Sequence, residues 1–232
     1  LYSVVRDNVY ELIADLNRHE VSKEYFLEIR NLDRTDEYKN LSDMQRASRF
    51  IYLNRTCFNG LYRVNSQGQF NVPFGNYKNP RIVDENNLLN CSELLKNTEI
   101  KCADFSEILT KVKKGDFVYF DPPYVPLNET SSFTSYTKDG FDMDMQFKLR
   151  EACDELDSMG VMFMLSNSDT KFVNELYSNY EIKKVFASRA VNANAEGRGK
   201  ITEVLVRNYW WQEILRNGCQ LLDLVLLIIV IM

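Results

Sequence analysis

The chain has 232 residues, of which 45% are hydrophobic and 26% charged, with a formal net charge of −5. That length and balance describe an ordinary globular protein with material for one large or two small cores, and argue against a disordered or fibrous chain. The five cysteines are odd in number and scattered without a Cys-x-x-Cys pair, which argues against a disulfide framework or a zinc site and for a reducing, cytoplasmic compartment.

Taken in order, Val5, Val9, Leu12 and Leu16 recur at helical spacing and predict one amphipathic helix over 1–19. His19, the only histidine, falls on a polar flank of that helix, which leaves little for histidine-based nucleophilic or metal chemistry. A second, more polar helical stretch covers 20–40. Ser42 followed by Gln45 is a capping-box signature and opens a helix with Met44, Ala47, Phe50 and Ile51 on one side. From Cys57 to Lys78 the pattern changes to loop and hairpin material, rich in Asn, Gly and aromatics.

Beyond residue 99 strands and helices alternate. Short apolar runs predict strands over 100–103, 117–120, 161–165, 182–187 and 201–207. Helices are expected after Asp104 through Leu109, around Met145 to Met159 with Gly160 as its cap, and around Phe172 to Tyr177. The outcome is an α/β sheet ending in an antiparallel pair. The long polar loop over 125–140 has the length of a lid. The final run from Leu221 to Met232 is apolar apart from Asp223, but a bilayer span takes roughly 20 residues, so no membrane partner is expected.

Charge is segregated. Six basic residues (Arg46, Arg49, Arg55, Arg63, Lys78 and Arg81) lie between positions 46 and 81 with no Asp or Glu, and six more lie between 183 and 207 against two acids. Such segregation is what a phosphate-binding face requires, whatever the overall sum.

The stretch with the sharpest chemistry is Val118-Tyr119-Phe120-Asp121-Pro122-Pro123-Tyr124. The proline pair cannot continue a ladder, so the chain leaves the sheet at Asp121, at the carboxyl end of a strand, where ligands bind in open α/β sheets. A carboxylate and the Pro122 carbonyl can accept the two hydrogens of an exocyclic amino group and localise its lone pair, while the Tyr124 ring stacks on the base.

With those residues in place, the chain resembles the Dam-type DNA adenine-N6 methyltransferases, in particular restriction-associated members that act at GATC. The resemblance rests on DPPYVPLNETSSFTSY (121–136), NRTCFNGLYRVNSQGQFNVPFGNYK (54–78), Ala103-Asp104-Phe105 and Leu165-Ser166-Asn167-Ser168. It implies a Rossmann-like α/β sheet dependent on S-adenosylmethionine, with its first strands missing and a mainly helical target-recognition domain inserted. The implied divisions are a helix from the cofactor-binding half (1–19), the recognition domain (20–98), the catalytic α/β half (99–209) and an atypical apolar tail (210–232).

By the same resemblance, Asp121, Pro122 and Tyr124 hold and activate an adenine flipped out of double-stranded DNA. Asp104 and Phe105, with Asp121, contact the cofactor, and no metal is needed. Arg63 matches the guanine reader, Leu61, Pro73 and Tyr77 match base-contacting positions, and Phe58 and Asn59 match those that wedge into the gap left by the flipped base. Lys78, Arg189, Arg198 and Lys200 are assigned to phosphates. A cognate restriction endonuclease is an implied partner.

The family's glycine-rich strand turn is not found here, so the sequence reads as N-terminally truncated. Weak or absent cofactor binding and exposed apolar strand edges are the expectation, and a catalytically inactive DNA-binding remnant is the alternative reading. Cytosine N4 or a glutamine side chain as acceptor is a weaker possibility, disfavoured by Asp rather than Ser or Asn at position 121.

Overall fold

In the computed structural model, the apolar positions of the first turns form two helices rather than one, α1 (Tyr2–Asp7) and α2 (Val9–Leu16). The break is at Asn8 (φ −134°, ψ 37°), a residue whose side chain competes for backbone groups and which holds a helix interior poorly. The structure describes residues 1–127, 141–188, 200–209 and 226–230, and it divides into two compact units, Leu1–Cys102 and Ala103–Met232.

The first unit is helical. After α2 come α3 (Lys23–Asn31), a 3-10 turn (Leu32–Arg34), the short α4 (Glu37–Asn40), α5 (Asp43–Thr56) and, beyond the loop region, α6 (Glu85–Leu95). Helix α5 opens with the full capping box: the Ser42 hydroxyl accepts from the Gln45 N–H, and the Gln45 side chain accepts from the Ser42 N–H at 3.0 Å. Its core gathers Leu12, Leu16, Phe26, Tyr52, Leu53, Cys57 and Val72, all fully buried or nearly so. Helices α1 and α2 thus pack in the same core as the loop residues Phe70 and Val72.

His19 is not on a solvated flank. It stacks on Tyr52 with ring centroids 4.4 Å apart, and its two ring nitrogens lie 2.9 Å from the Tyr25 hydroxyl and 3.0 Å from the Ser48 hydroxyl. The helix stops at Leu16, so the chain turns and carries the imidazole inward.

The second unit is a five-stranded sheet with helices, ordered β3-β4-β2-β1-β5. Strand β1 (Phe117–Asp121) runs parallel to β2 (Met162–Ser168), which pairs antiparallel with β4 (Lys200–Arg207), which in turn pairs antiparallel with β3 (Glu181–Ser188). Between β1 and β2 lies α7 (Met143–Ser158), and α8 (Lys171–Leu176) follows β2. Alternation along the strands sends Val118, Phe120, Phe163, Leu165, Val204 and Val206 into one core with Leu149, Leu156, Val173 and Tyr177.

Three expectations need correction here. Residues 100–103 form no strand: 101–104 are exposed, and an unpaired segment gains nothing from extension into a ladder. The helix after Asp104 is a 3-10 helix, Phe105–Thr110. The outer edge of β1 is not bare, because β5 (Leu226–Val230) pairs with it in parallel, from Phe117 opposite Leu226 to Asp121 opposite Val230.

Candidate functional site

In the second unit the chain leaves β1 at Asp121 and passes through Pro122 and Pro123 to Tyr124. Period-two alternation puts Asp121, Tyr119 and Ser166 on the sheet face opposite the α7 core, and they meet there. The Ser166 hydroxyl donates to Asp121 Oδ1 at 2.9 Å and accepts from the Tyr119 hydroxyl at 3.0 Å. Ser166 is buried, whereas Asp121 is exposed. One carboxylate oxygen is therefore fixed from within the protein, and Oδ2 has no protein partner among the described residues.

Tyr124 is 37% exposed. Burial of the remainder pushes its phenol above the ordinary value. Ser166 is thus a junction joining Tyr119 and Asp121. Pro122 is buried, and its carbonyl accepts no hydrogen bond among the described residues, whereas the Pro123 carbonyl is taken by Gln146 at 3.2 Å. The corner offers a carboxylate oxygen, a carbonyl and an aromatic face, which is the set that an aromatic amino group can use.

Asp104 and Phe105 are placed differently from each other. Asp104 is exposed and caps the 3-10 helix, its Oδ1 accepting from the Ser106 N–H at 2.9 Å and from the Ser106 hydroxyl. Those bonds hold its carboxyl below the usual carboxylate range. Phe105 is 3% exposed, with its ring edge-on to Phe120 (centroids 6.4 Å apart) and tilted against Phe141.

In the first unit the residues singled out by sequence cluster on two loop segments that are knitted together. Phe58 N–H donates to the Pro73 carbonyl at 2.8 Å, Asn59 N–H to the Tyr77 hydroxyl at 3.0 Å, and Gly75 N–H to the Thr56 carbonyl at 2.8 Å. Asn59 and Gly60 both have positive φ (54° and 60°), a turn that Asn and Gly tolerate at little cost. Gly75 is required for a different reason: a Cβ there would lie 2.8 Å from the Cys57 carbonyl and 2.4 Å from the Tyr77 ring.

This framework turns Phe58 (50% exposed), Asn59, Arg63, Pro73, Tyr77 and Lys78 outward, while Leu61 is half-buried against the core of the unit. Arg63 does not hang free. Its Nε donates to Asn71 Oδ1 at 2.7 Å and its Nη2 to the Asn71 carbonyl at 3.3 Å.

The basic run is less available than its sequence suggests. Arg49 is buried, donating to the Ile29 and Arg30 carbonyls at 2.8 Å each and pairing with Asp33 at 2.9 Å; Arg46 is spent on the Leu41, Tyr38 and Lys39 carbonyls. These two arginines are architectural, which corrects their place in a phosphate-binding face. Of the second run, Lys200 opens β4 at its backbone, and Arg189 and Arg198 lie outside the described residues.

Sequence reasoning missed the polar side chains behind the corner. Ser166 and Asn167 stood in a quoted motif without a role, although a polar Ser-Asn-Ser run at the end of a buried apolar strand was itself a signal. Gln146 shares the helical stripe of Leu149, Cys153 and Leu156, and a glutamine at a core position was the clue.

Sheet and corner together make an α/β domain whose candidate ligand site lies at the carboxyl ends of adjacent parallel strands. Residues 1–191 match the family described as D12 class N6 adenine-specific DNA methyltransferase. The chain is 49% identical over 212 residues to the Type II methyltransferase M1.LlaDCHI of Lactococcus lactis subsp. cremoris, covering 90% of this chain and 75% of that protein. It is 46% identical over 219 residues to the Type II methyltransferase M.MjaIII of Methanocaldococcus jannaschii, with the same coverage of each. To the DNA adenine methylase of Vibrio cholerae serotype O1 it is 36% identical over 185 residues, covering 79% of this chain and 65% of the relative. The chain belongs to the D12 class N6 adenine-specific DNA methyltransferases, enzymes that act on DNA. The methyltransferase sheet expected from sequence is the fold observed, and no helix among the described residues is long and apolar enough to cross a membrane.

Proposed function

We propose that this chain transfers a methyl group from S-adenosylmethionine to N6 of adenine within GATC in double-stranded DNA, acting on a base flipped into the 121–124 corner. The observation that carries the reading is the Asp121 carboxylate at the end of β1, with Oδ1 held by Ser166 and Oδ2 without a protein partner among the described residues. On this reading Tyr124 stacks on the adenine, and Asp121 Oδ2 and the Pro122 carbonyl accept its two N6 hydrogens. That draws the nitrogen lone pair out of the ring and aims it. When bound, the cofactor would supply an electrophilic methyl on a sulfonium, the S–C electron pair staying on sulfur as a neutral thioether. As the new N–C bond forms, the proton lost from N6 leaves past Asp121, whose exposure gives it a route to water.

The residues expected to hold the cofactor fit it in part. Asp104 is an exposed carboxylate suited to an amino or hydroxyl group, and Asp121 adds a second. The Phe105 ring is packed against Phe120 and Phe141, which suits an apolar wall better than a free stacking platform.

Residues 20–98 are assigned to target recognition, with 1–19 left to the cofactor-binding half. Arg63 reads guanine, where a guanidinium can bond O6 and N7 together. Leu61, Pro73 and Tyr77 meet bases, Phe58 and Asn59 enter the vacated stack, and Lys78, Arg189, Arg198 and Lys200 meet phosphates. Arg63 has to exchange Asn71 for the base edge, so its present bonds pre-orient it without occupying it permanently. The names of the Type II relatives support a role in protecting DNA from an endonuclease of the same site.

The test is incubation of the chain with S-adenosylmethionine and duplexes containing GATC, a permuted site, or N6-methylated GATC. Newly transferred methyl, recovered as N6-methyladenine, is expected in the first duplex alone. Methyl transfer to cytosine, or equal transfer to the permuted duplex, would overturn the acceptor or the site respectively.

A further inference from the structure

The loop that follows Asp121 is gripped from the helix side of the sheet by two buried amide side chains. Gln146 of α7 donates Nε2–H to the Pro123 carbonyl at 3.2 Å, and its Oε1 accepts from Asn167 Nδ2 at 3.4 Å. Asn167 Oδ1 in turn accepts from the backbone N–H of Val125 at 3.0 Å and of Ser168 at 2.8 Å. Gln146 is 2% exposed and Asn167 is 0% exposed.

Folding alone does not call for a glutamine at this place. Position 146 lies on the stripe of α7 with Leu149, Cys153 and Leu156, where an apolar side chain would gain from burial and would carry no polar group to satisfy. The amide is tolerated because its donor and acceptor are both met, and one of them is met by the backbone of the loop.

We propose that Gln146 is a positioning residue for methyl transfer, acting with Asn167 to set the two peptide groups that flank Tyr124. The Pro123 carbonyl belongs to the peptide before Tyr124 and the Val125 N–H to the peptide after it. Peptide groups are planar, so fixing both leaves the Tyr124 backbone dihedrals, and hence the direction of its Cβ, little freedom. Pro123 has its φ fixed by its ring and carries the same orientation back towards the Pro122 carbonyl. The aromatic face and the carbonyl are thereby aimed together, while Ser166 holds Asp121 from the opposite face of the sheet. The inference rests on the reading of 121–124 as the adenine site.

Gln146→Met keeps the volume and helix propensity and removes the donor; Gln146→Glu sets a second acceptor against the Pro123 carbonyl. For each, single-turnover methyl transfer to the GATC duplex, duplex Kd, thermal midpoint and amide exchange at Tyr124 and Val125 are measured. Transfer by Gln146→Met is expected to fall about 10- to 100-fold, and that of Gln146→Glu further, because misaimed groups lose rate steeply. Over the same series the Kd should move by less than about threefold, and the Gln146→Met midpoint should not fall. A lowered midpoint with unchanged transfer would mean a packing role only and would overturn the proposal. Should the unaltered chain transfer no methyl group, the adenine-site reading fails. Amide exchange then decides the clamp, with faster exchange at Tyr124 and Val125 in Gln146→Met upholding it and unchanged exchange refuting it.

Discussion

In the first unit the loops bearing Arg63 and Tyr77 are held by backbone bonds to one another and by side chains that reach for backbone, whereas in the second the corner at 121–124 is gripped from both faces of a sheet. Arg34 donates to the Phe70 carbonyl at 2.8 Å and Asp33 accepts from the Phe70 N–H at 2.8 Å, so two side chains bond one loop residue as a neighbouring strand would. Asn54 donates to the Gly60 carbonyl at 2.6 Å in the same manner. What is left outward is exposed, with Arg63 held by Asn71 and the Tyr77 hydroxyl by the Asn59 N–H. Behind Asp121, by contrast, Ser166, Asn167 and Gln146 are buried, and their bonds leave the loop few alternatives. The contrast fits a surface that must adapt to a partner and a corner that must hold reacting groups still.

The largest expected effect falls on the corner. Asp121→Ala should lower methyl transfer by about 100- to 1000-fold or more while duplex affinity stays within a few-fold; retention of near-full turnover would remove the carboxylate from the reaction. Next come paired core truncations, Leu53→Ala in the helical unit and Leu165→Ala in the sheet. Each is fully or almost fully buried and is expected to cost about 2 to 5 kcal/mol in denaturant unfolding. If the sheet variant loses transfer out of proportion to its stability, the corner depends on the sheet more rigidly than the reading loops depend on their core.

Arg63→Ala should relax sequence choice by about 1 to 3 kcal/mol at one base while leaving transfer at GATC detectable, scored by competition between GATC and single-base variants. The smallest effect concerns His19. Burial lowers its pKa from the ordinary 6.5, with Asp15 opposing in part. The folded unit therefore keeps the imidazole neutral where the unfolded chain takes up a proton. Stability is expected to fall as pH drops from about 6.5 towards the lowered folded value and to level off beneath it. His19→Gln should flatten the dependence between pH 7 and 5.

Some of this was legible in advance because the responsible signal is local. The apolar run before Pro122 can be only a strand that ends there, and the Ser42 and Gln45 pair fixes a helix start through bonds spanning three residues. The sheet's closing antiparallel pair was readable from two β-rich runs with a polar turn between them. Other features depend on partners distant in sequence. Nothing near Arg49 says that it will meet Asp33 and the end of α3, and a charged run reads as a surface until the buried acceptors are known. The apolar run at 226–230 has no motif that names β1 as its neighbour. Residues 100–103 failed for the converse reason, since their composition allows a strand but no ladder is there to receive one. Of the candidate site, Asp121, Pro122 and Tyr124 were readable as a chemical set, while Ser166 needed the strand register that brings it across to Asp121.

The inward-turned arginines of α5 bear on how ionic strength should act. Neutralising phosphates releases condensed counterions, and the logarithm of affinity falls with the logarithm of salt by about 0.9 for each phosphate neutralised. Arg49 is already matched by Asp33 beneath the surface and Arg46 by backbone carbonyls, so neither should contribute to that slope. If Arg63 and Lys78 meet DNA as proposed, added salt would strip the duplex from them yet leave the Arg49 pair in place, since buried charges are screened far less than exposed ones. The chain would let go of DNA in salt with its reading loops still in shape to take it up again.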